Sequence, residues 1–348
     1  GRAASCRECP CRDDSLKLPQ HRALVLTPFD EDQLLRLRCR VPTTYESWLD
    51  TLKLTDPDAL VTRLASDRIS ILIVEADFVF EEAFEETTSL RFVGICRNST
   101  NHVDVDAATA SSVLVVNTPG RNAQAVAEHA LGLMLSLARG IPAGHNYVRD
   151  GRWEDPTEPY VSMRGIELRG KTLGLLGLGS IGGKLSAIGA ALGMNVMAYD
   201  PYVSASGDVT MASLETVLVE ADFLSIHAPL TDETEGLLDE ARLATMKKTA
   251  YIVNCSDASI IDRTALVDAL RSRSIAGAAV DVFETHPVAP DNPLIALNNV
   301  ILSPHVGGAT AETIERHSRT MTDDVLRFLD GERPKNLVNP EAWNRSSR

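Results

Sequence analysis

No run of apolar residues in this chain approaches the length of a membrane-spanning helix, so no membrane partner is expected. The opening residues, GRAASCRECPCRDD, lack the apolar stretch of a secretory signal, and a cytoplasmic protein is the expectation that follows. Positive charge is also short. Lys and Arg number 34 against 48 Asp and Glu, a formal net charge of −14. A polyanion would meet net repulsion, so no nucleic acid partner is expected; a small anionic substrate stays possible, because local charge decides its site. Cysteine is scarce too, at six residues. The trio Cys6, Cys9 and Cys11 has no second ligand pair at zinc-like spacing, and no metal is expected. Residues 1–22 read as a disordered tail. Cys39, Cys96 and Cys255 sit in or beside apolar segments and read as small core residues.

What is present is alternation. At 348 residues the chain is long enough for two domains, each with a core. In the first third, Ala23–Phe29, Ile69–Val74, Leu90–Ile95 and Val113–Asn117 are apolar and read as strands. Helical patterns at Asp58–Ser66, Phe80–Thr87 and Asp104–Ala110 lie between them. A second series has strands at Thr172–Leu176, Asn195–Tyr199, Phe223–Ile226, Ala250–Asn254, Gly277–Val282 and Val300–Leu302, and ends in a helix near Ala311–Leu329. Strands alternating with helices predict an α/β chain with parallel sheets covered on both faces. Between the series, Asn122–Arg139 is an apolar helix with Asn122 as candidate N-cap and Gly140 and Pro142 as its stop. It is too apolar for one exposed face, which predicts burial between domains or subunits. Tyr147–Gly170 reads as loop-rich.

The most specific segment is KTLGLLGLGSIGGKLSAIGAALGMNVMAYD, Lys171 to Asp200. A strand leads into Gly177, Gly179 and Gly182 at G-x-G-x-x-G spacing. A helix with Ile181, Leu185, Ile188 and Leu192 on one face follows, then a strand ending in Asp200. That order suits a dinucleotide. One glycine makes the tight turn, the next lets backbone approach the pyrophosphate, and the third lets helix and strand pack closely. The helix N-terminus offers free N–H groups to the phosphates. Asp200 can accept a hydrogen bond from a ribose 2′-hydroxyl but would repel a 2′-phosphate, so NAD is the expected cofactor.

Further motifs are RFVGICRNSTNHVDVDAA, NTPGRNAQAVAEHALGLMLSLAR, a G-x-W element at Gly151–Trp153, SIHAPLTDET, VDVF and SPHVGGAT. In this order, from about Leu90 to Asn339, the chain resembles the D-isomer-specific 2-hydroxyacid dehydrogenase family. The resemblance implies a flavodoxin-like substrate domain from residues 23–118 and 309–348, with a Rossmann NAD-binding domain, 119–308, inserted in it. It implies an NAD-dependent oxidoreductase acting on a small-molecule substrate held in the cleft between domains. It also implies a homodimer with the Asn122–Arg139 helix at its interface. Ser180 and Ile181 would cover the pyrophosphate, and Asp200 would meet the adenosine ribose. His227, Ala228 and Pro229 would line the adenine side. Cys255 and Asp281 would reach toward the nicotinamide. Arg97, Asn98 and Ser99 fall where the family binds the substrate carboxylate through backbone N–H groups.

The family pattern then breaks. Active members use an Arg to clamp the substrate carboxylate, a Glu to orient a His, and that His as acid or base. The His is present as His305, which would also lie against the cofactor. Asp257 stands in the arginine position and His286 in the glutamate position. A guanidinium about 4 Å from a carboxylate gains roughly 4 kcal/mol at an effective dielectric near 20, and a carboxylate in its place reverses the sign. A dehydrogenase acting on a different hydroxy or oxo substrate is the first expectation, with Asp257 accepting hydroxyls or pairing an amino group and Arg97 restoring the positive charge. The alternatives are a catalytically silent NAD(H)-binding sensor working through a partner, or a copy that has drifted from function.

Overall fold

The structure, a computed structural model, describes residues 20–204 and 207–346. The Cys6, Cys9 and Cys11 trio and most of the expected tail lie outside the described residues. Two compact units divide the chain. One runs up to Arg121 and resumes at Thr310; the other is the continuous stretch Asn122–Ala309.

The first unit holds five strands: β1 (Ala23–Val25), β2 (Thr43–Tyr45), β3 (Ile71–Val74), β4 (Phe92–Ile95) and β5 (Leu114–Asn117). They pair in parallel in the order β2-β1-β3-β4-β5, which is the flavodoxin-like doubly wound order. All four residues of β3, Ile-Leu-Ile-Val, are buried, so the strand shows no alternation: helices cover both faces of the sheet. One core layer packs Leu60, Leu64 and Phe84 on the sheet. The other packs Leu34, Leu37, Met321 and Val325. The last two come from the helix Ala311–Leu329, which returns to this unit from the end of the chain. Gly94 in β4 makes room for it, because a Cβ there would overlap Met321 Sδ.

The second unit holds β6 (Thr172–Leu176), β7 (Asn195–Tyr199), β8 (Thr210–Met211), β9 (Phe223–Ile226), β10 (Tyr251–Asn254), β11 (Gly277–Val280) and β12 (Val300–Leu302). Their order is β12-β11-β10-β9-β6-β7-β8, again parallel. The chain enters at β6, builds outward to β8, then crosses back to β9 and builds the other way. This is the Rossmann arrangement, and the reversal beside β6 opens a crevice at the carboxyl ends of β6 and β9.

Several local expectations change. The edge strands β2 and β8 carry too few apolar residues to stand out in the sequence: β2 is Thr-Thr-Tyr and β8 is two residues long. Gly140 does end the helix Ala123–Arg139, with φ of 59°, but Pro142 sits in the first turn of a new helix, Ile141–Arg149. Proline suits that place because its missing N–H would have no partner there. Asn122 makes no side-chain cap bond; its amide packs instead where Gly308 lacks a Cβ. Most of the helix's apolar face, including Ala127, Ala130, Leu133 and Met134, is buried in the second unit's own core. Among the described residues, no helix is long and apolar enough to cross a membrane.

Candidate active site

Site residues of the second unit follow its strands in turn. Gly177 comes just after β6, Asp200 after β7, His227 after β9, Cys255 after β10, Asp281 after β11 and His305 shortly after β12. A parallel sheet gathers all of them at its carboxyl edge.

The three glycines do three different things. Gly177 has φ of 91°, and a Cβ on it would lie 2.7 Å from the Ala228 nitrogen. A Cβ on Gly182 would overlap the Gly177 carbonyl oxygen, so helix and loop touch only because it is absent. Beside Gly179 there is open space: nothing lies within 4 Å of its Cβ position. The helix Ser180–Ala191 begins there with no side-chain cap. Its first N–H groups, including those of Ser180 and Ile181, have no intrahelical acceptor, which leaves them able to donate to an anion. Asp200 closes the loop: its carboxylate accepts the Leu178 N–H at 2.8 Å and the Tyr202 N–H at 2.9 Å. Asp200 thus ties down the glycine turn.

His227 hydrogen-bonds Ser225 Oγ through Nε2 at 2.9 Å. Its Nδ1 is buried with no hydrogen-bond partner among the described residues. Burial pushes its pKa down to about 4, so the ring is neutral at physiological pH. The Ala228 carbonyl accepts from Ser256 Oγ, and the Pro229 carbonyl accepts from Thr234 Oγ1 at 2.7 Å. Burial, with Asp281 adding to it, pushes the Cys255 thiol up to about 12, so it is a small neutral wall rather than a nucleophile.

Asp281 is the most committed residue of the group. Its side chain is 2% exposed. It accepts from Ser303 Oγ at 2.6 Å, the Val306 N–H at 3.0 Å and the Gly307 N–H at 2.8 Å. His129 Nε2 lies 3.4 Å from the same carboxylate and 3.1 Å from Ser303 Oγ. These contacts bind it to the loop 303–307, and any reach toward a nicotinamide comes in addition to them. His305, in the middle of that loop, has φ of 56°, a left-handed conformation that costs a non-glycine residue of order 1 kcal/mol and collects at functional sites. Its Nδ1 lies 2.9 Å from His286 Nε2, with ring centroids 4.8 Å apart. Both rings are exposed. The residue in the expected glutamate position therefore does reach His305. Asp257 does not: its Oδ1 accepts the Ser259 N–H at 2.9 Å and caps the short helix Ala258–Ile260. Glu284 lies 3.6 Å from Arg263 Nε. Among the described residues no group of acidic, His or Cys side chains could hold a metal.

The first unit carries a separate polar cluster at the carboxyl end of its own sheet. Glu75, after β3, accepts from Thr27 Oγ1 at 3.0 Å and from Arg121 at 2.5 Å. Arg121 Nη1 also donates to His317 Nδ1 at 2.9 Å, and His317 Nε2 donates to the Pro28 carbonyl at 2.8 Å. Accepting from Arg121 at Nδ1 requires a neutral His317 with its hydrogen on Nε2, and burial pushes its pKa down to about 4 even though the Pro28 bond opposes that shift. Arg97 follows β4. Burial lowers its pKa while Glu75 opposes that shift, and its guanidinium makes no hydrogen bond or ion pair among the described residues. The backbone N–H groups of Asn98 and Ser99 are likewise unbonded there. His102, 4% exposed, has both ring nitrogens buried without partners. The motifs gave Arg97, Asn98 and Ser99. His102, Arg121, His129 and Ser303 lie within the quoted motifs but were given no role there, and Glu75 and His317 lie outside them. Only the fold shows what each one touches.

Known proteins match this architecture and its motifs. Residues 131–307 match the family model for the D-isomer specific 2-hydroxyacid dehydrogenase NAD binding domain. A glyoxylate reductase from Aeropyrum pernix is 40% identical over 307 residues, covering 86% of this chain and 88% of its own length. The protein YoaD of Bacillus subtilis is 36% identical over 318 residues, covering 90% of this chain and 92% of its own length. The crystal structure of the TT0316 protein from Thermus thermophilus superposes with a TM-score of 0.80 at 33% identity, over 91% of this chain and 99% of that one. With its Rossmann unit and glycine cradle, this chain belongs to the D-isomer specific 2-hydroxyacid dehydrogenase family, NAD-binding oxidoreductases.

Proposed function

We propose that this chain moves a hydride between NAD(H) and a small hydroxy or oxo acid, with His305 as the acid and base. The observation that carries this is the 2.9 Å contact of His305 Nδ1 with His286 Nε2. NAD(H), which Gly177, Gly179, Gly182, Ser180, Ile181 and Asp200 would hold, would supply or accept the hydride. In reduction the paired rings share one extra proton. His305 gives its Nε2 proton to the carbonyl oxygen as the hydride reaches the carbon, and the pair becomes neutral. In oxidation it takes that proton back. A Glu–His pair would be neutral when loaded; two histidines carry one positive charge. That charge stabilises the developing alkoxide, part of the work of the guanidinium that Asp257 replaces.

Arg97, with the free N–H groups of Asn98 and Ser99, takes the substrate carboxylate. Its half-buried guanidinium makes no direct ion pair among the described residues, and a carboxylate supplies one. Asp257 then favours a substrate that offers it a hydroxyl or an amino group. The Aeropyrum pernix relative, named a glyoxylate reductase, places small 2-oxo acids among the first compounds to try. The test is loss of NADH absorbance with hydroxypyruvate, pyruvate and glyoxylate. We expect hydroxypyruvate to be reduced faster than pyruvate, and His305→Asn to abolish turnover while NADH still binds. NADH binding without turnover of any carbonyl compound would overturn the proposal in favour of a silent cofactor-binding protein.

The active form is a homodimer. The helix Ala123–Arg139 supports this less than its sequence suggested, since its own unit covers most of it. The support now lies just beyond, where Ile141, Val148, Trp153, Tyr160 and Val161 are all more than half exposed. Such a density of large exposed apolar side chains calls for a partner surface.

A further inference from the structure

We propose that His129 is a positioning residue for the acid–base histidine, acting through Ser303 and Asp281. This rests on the reading of His305 given above. His129 projects from the helix Ala123–Arg139, and the loop 303–307 follows β12. The contact between them is specific in its protons. Ser303 has one hydroxyl proton, and the 2.6 Å bond to Asp281 Oδ1 uses it. The Ser303 oxygen can then only accept from His129 Nε2, 3.1 Å away, so Nε2 must carry a hydrogen. The same Nε2–H lies 3.4 Å from Oδ1 of the buried Asp281 carboxylate.

The loop closes on this arrangement from its other end. Val306 and Gly307 donate their N–H groups to Asp281. A Cβ on Gly307 would lie 2.9 Å from Asp281 Oδ2 and 3.3 Å from His129 Cδ2, so the loop sits against the histidine only as glycine. His305 is thus held by contacts on both sides, at Ser303 and at Val306–Gly307. The held loop keeps His305 at its φ of 56° and its Nδ1 on His286. Without His129, Ser303 and Asp281 would keep their mutual bond but lose the donor that fixes both to the helix.

The test is nitrogen-15 NMR of histidine-labelled protein without cofactor, with the His305 ring signals identified by their absence in His305→Asn. His286→Ala defines the ring shifts of His305 without its partner. We expect His129→Leu and Ser303→Ala to move the His305 signals toward that reference and to leave the His227 and His317 signals in place. His129→Gln, which retains an N–H near Nε2, should restore the wild-type position. With hydroxypyruvate and NADH, kcat should fall roughly tenfold in His129→Leu at unchanged KM for NADH, a fraction of the 10²–10⁴ that a placed acid contributes. Unmoved His305 signals in both His129→Leu and Ser303→Ala would overturn the inference. So would movement of all histidine signals together, which marks loss of fold. Full activity of His305→Asn would overturn the acid–base reading instead, and the NMR result stands apart from it.

Discussion

At the residue scale, each glycine of the G-x-G-x-x-G turn has its own physical reason, and the reasons separate by experiment. Gly182→Ala forces a methyl onto the Gly177 carbonyl oxygen. Helix and strand must part, at a cost of about 1–3 kcal/mol typical of overpacking. Gly179→Ala meets nothing within 4 Å; its methyl enters the space left for the phosphates. Thermal unfolding should therefore fall by several degrees in Gly182→Ala and stay near wild type in Gly179→Ala, while calorimetry shows NADH binding weakened at least tenfold in Gly179→Ala. Equal unfolding temperatures in the two variants would show that the third glycine is not a packing residue. All this was legible beforehand because spacing along one turn fixes geometry. Asp281 was legible only as a motif. That its carboxylate accepts three donors of the loop 303–307 depends on β11 and β12 lying side by side, which no local pattern states.

At the scale of elements, the strands of both sheets read directly from apolar, β-branched runs because both faces are covered. The edge strands β2 and β8 did not, because they are short and carry few apolar side chains, whereas the apolar edge strands β5 and β12 did. The helix Ala311–Leu329 was found as a helix, yet its buried polar face was not expected: His317, Thr313, Ser318 and Asp324 are all buried. This face makes a prediction about acid. His317 has its pKa lowered from 6.5 to about 4 in the fold, chiefly by burial. A histidine depressed in this way contributes stability that is fully present above pH 6.5 and is lost as pH falls through 4, because the unfolded chain takes up the proton first. The stake is roughly 1–3 kcal/mol over that window. His102 and His227, also near 4 through burial, act in the same direction. Urea midpoints at pH 7.0 and 4.5 should therefore differ less in His317→Gln than in wild type, although His317→Gln starts lower at pH 7.0 through loss of the Arg121 and Pro28 bonds. An unchanged difference would mean that His317 is already charged in the folded protein.

At the scale of the whole molecule, the two units differ in how the chain builds them, and this gives the last prediction. The second unit is one continuous stretch, Asn122–Ala309. It contains its whole seven-stranded sheet, both core layers of that sheet and the complete glycine cradle. The first unit is not continuous. One face of its sheet is closed by Met321 and Val325 from beyond Thr310. Without that helix, Ile71, Ile73, Phe92 and Leu114 would lose apolar cover, at about 25 cal/mol per Å² of surface returned to water. A fragment spanning 122–309 should thus fold cooperatively and bind NADH with an affinity near that of the full chain. A fragment spanning 20–121 should remain without a sharp unfolding transition until a peptide of residues 310–346 is added. The apolar side chains from Ile141 to Val161 stay within the larger fragment, so light scattering should give it a dimeric mass as well. A 122–309 fragment that folds and binds NADH but is monomeric would remove the basis for placing the subunit interface there. One that fails to fold would show that the Rossmann unit depends on the first unit after all, despite its unbroken chain and complete core.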